Sequence, residues 1–90
     1  MAARRWLVSG RVQGVGFRYY ISRSARRLAL TGRVRNLPDG KVEVEVAGDV
    51  EALEQLKAAV KAGPPGAHVT GLVELDGGPD TSWDSFEIDH

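Results

Sequence analysis

The run Lys41-Val42-Glu43-Val44-Glu45-Val46 alternates apolar and charged side chains without a fault. Successive side chains of an extended backbone point to opposite faces, so this is a strand with three valines on one side and its glutamates on the other. A strand divided in this way belongs to a sheet covered on one face only, and the rest of the chain has to supply one covering layer. Just before it stands Pro38-Asp39-Gly40, which is strong turn chemistry. Proline presets one dihedral, aspartate bonds locally and glycine accepts a positive φ. The strand is therefore the second arm of a hairpin whose first arm is expected from Arg33 to Leu37.

Two segments have the period of the covering layer. Phe17, Ile21, Ala25 and Leu28 recur at helical spacing, and Thr31-Gly32 is expected to end that helix, as a glycine just past the last turn usually does. Val50, Leu53, Leu56 and Val60 mark a second helix, with Asp49 at its N-cap and Gly63-Pro64-Pro65-Gly66 at its stop. Ahead of the first helix, Trp6, Val8, Gly10 and Val12 alternate with Leu7, Ser9 and Arg11 as a half-buried strand, and Gly10 is expected to admit a close neighbour. Val69, Gly71, Val73 and Leu75 share one parity and read as a further strand. Gly77-Gly78-Pro79 reads as a loop, and Phe86 and Ile88 belong to a short closing strand. The order is that of an α+β, ferredoxin-like βαββαβ sandwich with a short C-terminal strand, two helices lying on one face of an antiparallel sheet. Residues 1–90 are expected to form a single domain, since ninety residues leave room for one core.

With no cysteine, hydrophobic packing alone has to hold such a core, which suits a reducing compartment. The N-terminal Met1-Ala2-Ala3-Arg4-Arg5-Trp6-Leu7-Val8 briefly imitates a basic-then-apolar export signal, but Arg11 cuts the apolar run short and no stretch approaches membrane-spanning length. A cytoplasmic protein with no membrane partner is expected. The formal net charge of zero conceals a division: all nine arginines lie at or before Arg35, and all twelve acidic residues at or after Asp39. One half of such a chain can meet anions, or the two halves can pair across the folded surface. Arg23, Arg26 and Arg27 read as a solvated helix face.

Between the first strand and the first helix lies Gly10-Arg11-Val12-Gln13-Gly14-Val15-Gly16-Phe17-Arg18. Gly14 and Gly16 free the backbone to turn several N–H groups toward one point, where the first helical turn adds its own unpaired N–H groups. Arg18 contributes a fork suited to phosphate or carboxylate. It is an anion loop, or else a glycine-rich turn with a solvated arginine. A Walker loop is excluded because Phe17-Arg18 follows Gly16, and a dinucleotide fingerprint because Tyr19 occupies the third glycine's place.

The run Val12-Gln13-Gly14-Val15-Gly16-Phe17-Arg18 resembles one signature of the acylphosphatase family, and Gly32-Arg33-Val34-Arg35-Asn36-Leu37-Pro38-Asp39-Gly40-Lys41-Val42 resembles its other. The two blocks stand in the family's order and separation, and the resemblance covers nearly the whole chain. It implies the same sandwich and an activity: hydrolysis of acyl phosphates to a carboxylate and inorganic phosphate. It also implies two catalytic residues, Arg18 clamping the phosphate and Asn36 orienting the attacking water. The N–H groups of Gln13, Gly14, Val15, Gly16, Phe17 and Arg18 would surround the phosphate. Topology offers a way to bring Asn36 beside Arg18, because the first two strands run parallel and end at the same sheet edge. Without the resemblance, Asn36 reads as a residue that bonds the turn backbone.

The reaction needs little more. A carboxylate leaves without a general acid, its conjugate acid having a pKa near ~4, so charge neutralisation and a positioned water suffice. No metal and no cofactor are expected. Phosphocysteine chemistry is excluded by composition, and neither His68 nor His90 lies in a phosphohistidine motif. Asp76, Asp80 and Asp84 read as solvated loop residues rather than a phosphoaspartate site. The expected partners are a small acyl phosphate, with phosphate or sulfate as product or inhibitor, no nucleic acid, and a monomeric state. Two other functions use the same fold: a non-catalytic anion- or ligand-binding module and an RNA-binding sheet, the latter opposed by outward Glu43 and Glu45. The chain departs from the family at Arg33, often an aromatic there, and at Asp89-His90, often basic or aromatic.

Overall fold

In the computed structural model, which describes residues 2–75 and 83–90, the chain runs β1 (Ala2–Arg11), α1 (Phe17–Arg27), β2 (Thr31–Asn36), β3 (Val42–Gly48), α2 (Val50–Ala62), β4 (His68–Glu74) and β5 (Phe86–Asp89). The sheet order is β4-β1-β3-β2-β5. The first four strands pair antiparallel, and β5 joins β2 in parallel, so the closing strand makes the sheet mixed. The faultlessly alternating strand is central. Val42, Val44 and Val46 of β3 are fully buried beneath the helices, with Trp6, Val8 and Val34 beside them. Ile21 and Ala25 of α1 and Leu53, Leu56 and Val60 of α2 close the core from above. No helix among the described residues is long and apolar enough to cross a membrane.

The opposite face of the sheet is not bare. Glu43 is only 4 % exposed, because Arg5 and Arg35 lie over it with nitrogen–oxygen distances of 3.0 and 2.7 Å. Arg33 pairs with Glu45 at 2.8 Å and with Asp89 at 3.3 Å. Arg35 stands directly opposite Glu43 in the ladder, and Arg33 opposite Glu45, so cross-strand pairing consumes much of the charge division. Burial raises the Glu43 carboxyl, but the two guanidiniums outweigh it and hold the group below its ordinary 4.5. A depressed carboxyl contributes stability above that ordinary value and loses it as pH falls through the folded one. Glu43→Gln is therefore expected to destabilise the fold by about 1–2 kcal/mol at pH 7, with the gap to wild type narrowing below pH 4.5. Urea unfolding across that range measures this, and a gap that ignores pH would contradict it.

Three local expectations are corrected. Helix α1 ends at Arg27 rather than at Thr31-Gly32. Ala29, at φ 59, takes the left-handed position, and Leu30 N–H bonds Ala25 O at 2.9 Å while Ala29 N–H bonds Arg26 O at 3.1 Å, a Schellman closure. Gly32 sits inside β2 for another reason: a Cβ there would overlap the Glu45 carbonyl. In β4 the shared parity breaks at a bulge opposite Ser9 and Gly10, so that Leu72 packs toward the core while Val73 is 57 % exposed. Gly10 does admit a close neighbour, the His68 carbonyl. Asp49 occupies the N-cap of α2 but makes no side-chain capping bond. Gly77-Gly78-Pro79, Asp76 and Asp80 lie outside the described residues.

Candidate functional site

The end of β1 hands the chain to α1 through residues 12–16. Val12 and Phe17 are buried on either side of this turn and pin it to the core. Between them Gly14 and Gly16 adopt φ 74 and 73, and Gly16 is the left-handed N-cap of α1. A side chain at either position would be strained, which accounts for the glycine spacing. Among the described residues, no acceptor takes the main-chain N–H groups of Val15 through Tyr19, and the first turn of α1 carries no acidic residue. The result is a concave run of free donors at the positive end of a helix.

Arg18 stands at the mouth of that run, half-buried. Its Nη1 donates to the Asp89 carbonyl at 3.3 Å, so the last strand steadies the guanidinium from one side, and among the described residues no carboxylate neutralises it. Asn36 closes β2 at the same sheet edge. Its Oδ1 is buried and has no hydrogen-bond partner among the described residues. The turn that follows does not use it: Asp39 Oδ1 accepts from Lys41 N–H at 3.0 Å, and Leu37 N–H bonds Lys41 O at 2.8 Å. Asn36 therefore makes no side-chain bond to the turn backbone among the described residues.

One cavity of about 310 Å³ is lined by Gly14, Gly16 and Arg18 together with Asn36. Val12, Phe17 and Ile88 give it apolar walls, and Tyr19 and His90 complete the lining. Gln13 and Val15 do not line it. Val15 packs against the core. The Gln13 side chain turns the other way, its Nε2 donating to Leu37 O at 2.8 Å and Lys41 O at 2.9 Å. That bond ties the loop to the hairpin carrying Asn36. A glutamine in a loop gives no hint of its partners, so sequence reasoning missed this tie, as it missed the Asp89 carbonyl behind Arg18 and the place of His90 in the cavity lining. His68 lies exposed at the start of β4, and Asp84 is exposed before β5. No group of three metal-ligating side chains occurs among the described residues.

Free loop amides, the Arg18 guanidinium and Asn36 thus meet at one cavity of a ferredoxin-like domain. The acylphosphatase family model matches residues 4–88, and the chain belongs to that family. It is 47% identical over 88 residues to an acylphosphatase of Archaeoglobus fulgidus, covering 98% of each chain. It is 55% identical over 74 residues to one of Acidiphilium cryptum, covering 82% of this chain and 81% of the relative. The crystal structure of the Bacillus subtilis acylphosphatase superposes with a TM-score of 0.87 at 38% identity, covering all of both chains.

Proposed function

We propose that the cavity between the α1 N-terminus and the end of β2 is where an acyl phosphate is hydrolysed to its carboxylate and inorganic phosphate. Hydrolase activity follows from family membership; the assignment of parts to residues rests on the resemblance of the two sequence blocks, and the shared cavity supports it. Arg18 and the amides of the loop hold the phosphoryl oxygens. Charge spreads over those oxygens in a loose transition state, and fixed donors that need no rearrangement stabilise it. Asn36 holds a water in line with the phosphorus. The water oxygen forms the new P–O bond, the bond to the acyl oxygen breaks, and the carboxylate departs with the electron pair. A phosphoryl oxygen takes the water's proton.

The observation that supports this most directly is the single cavity that the loop glycines, Arg18 and Asn36 line together. The Asn36 side chain makes no hydrogen bond to protein among the described residues, which leaves it uncommitted beside Arg18. The RNA-binding alternative is not favoured, because ion pairs rather than aromatic side chains cover the open sheet face. The same chain is proposed to act as a monomer in the cytoplasm. Hydrolysis of benzoyl phosphate, followed by loss of its absorbance, tests the assignment, with inorganic phosphate expected to inhibit competitively. Since Arg18 and the amides meet the charge of the substrate, full activity is expected in excess chelator. A loss on chelation that magnesium restores would refute the mechanism.

A further inference from the structure

A second hollow, of about 420 Å³, lies between α1 and the turn after α2 and shares Gly16 and Tyr19 with the first. Tyr20, Pro64 and Pro65 give it an apolar lining, and the Tyr20 hydroxyl is committed to the Ala59 carbonyl at 2.9 Å. Arg23 and Arg27 line its α1 side. Tyr19, Arg23 and Arg27 recur every four residues and so form one stripe, each step rising ~6 Å along the helix. The stripe begins at the wall shared by the two cavities. Arg23 is held near that wall, its guanidinium carbon 5.8 Å from the centroid of the Tyr19 ring.

The charges around this hollow are unlike those of the sheet. Among the described residues, every arginine in an ion pair belongs to β1 or β2: Arg4, Arg5, Arg33 and Arg35. None of the arginines of α1 has a carboxylate partner there; Arg18 donates to the Asp89 carbonyl and Arg26 to that of Phe86, while Arg23 and Arg27 make no hydrogen bond among the described residues. Arg23 and Arg27 are like charges one turn apart, an arrangement that weakens a helix unless an anion lies between them. The two hollows meet at Gly16, which has no side chain, and at Tyr19.

We propose that this hollow receives the acyl end of the substrate, and that Arg23 and Arg27 select acyl phosphates whose acyl chain ends in a second anionic group. The inference rests on the hydrolase reading above and specifies its substrate class. Succinyl phosphate and butyryl phosphate test it, being matched in carbon number and different in the charge of the tail. In the Arg23→Ala/Arg27→Ala variant, kcat/KM for succinyl phosphate is expected to fall about tenfold, through KM, because charge-assisted bonds to the tail are lost. Butyryl phosphate is expected to be hydrolysed as by wild type, and Lys61→Ala, which removes an exposed cation on α2, to leave the ratio of the two substrates unchanged. Equal losses on both substrates, no loss on either, or the same change of ratio in Lys61→Ala would overturn the subsite while leaving the hydrolase reading intact. A wild type inert toward both substrates would overturn the hydrolase reading, and the subsite with it.

Discussion

Arg18→Ala is expected to lower kcat/KM for benzoyl phosphate by about three orders of magnitude, the scale on which an arginine at a transferring phosphoryl group acts. Among the described residues, Arg18 is the only arginine or lysine that lines the cavity, and no carboxylate offsets it. Its removal leaves the amides alone to meet the substrate's charge. Inhibition by inorganic phosphate is expected to weaken together with turnover, because the ground state and the transition state share this contact. Arg18→Lys keeps the charge and loses the planar fork, so it should recover only a small part of the loss. The side chain contributes little to the fold, making one long bond to Asp89 O at 3.3 Å, so thermal unfolding should hardly change. Activity within threefold of wild type would remove Arg18 from the mechanism.

Asn36→Ala separates the two halves of the reaction. Its oxygen contacts no protein donor among the described residues, so truncation breaks no hydrogen bond that this oxygen makes. We expect kcat to fall about a hundredfold or more, the cost of deleting one preorganised polar group at a reacting centre. KM and the inhibition constant of phosphate should move by less than about threefold, which is the pattern of an interaction made in the transition state alone. The fold should become no less stable, since an unpaired buried oxygen is removed with the side chain. Asn36→Asp supplies the same shape with a negative charge and should weaken phosphate binding as well. If Asn36→Ala raised KM and left kcat untouched, the residue would be a phosphate ligand rather than the holder of water.

What could be read in the sequence was whatever local periodicity encodes. The alternation from Lys41 to Val46 specified the central strand, and the stripe Phe17, Ile21, Ala25 specified the buried side of α1. The spacing of Gly14 and Gly16 specified a left-handed cradle, and the order of elements placed Asn36 at its edge. Failures came where one residue type serves two purposes. Gly32 looks like a helix stop but permits close approach of β3, while Ala29 takes the left-handed position despite its Cβ. The parity of β4 was misjudged because a bulge belongs to a pair of strands, and neither strand announces it alone. The bonds of Gln13 and the second hollow beside α1 join segments distant in sequence, and no local pattern reports such meetings.

The amide of Gln13, bonded to the carbonyls of Leu37 and Lys41, has a consequence for timing. On the proposed mechanism grip and cleavage reside on separate stretches of backbone, and this stitch is a direct fastening between them. Loss of that fastening in Gln13→Ala is expected to cost turnover before it costs affinity for phosphate.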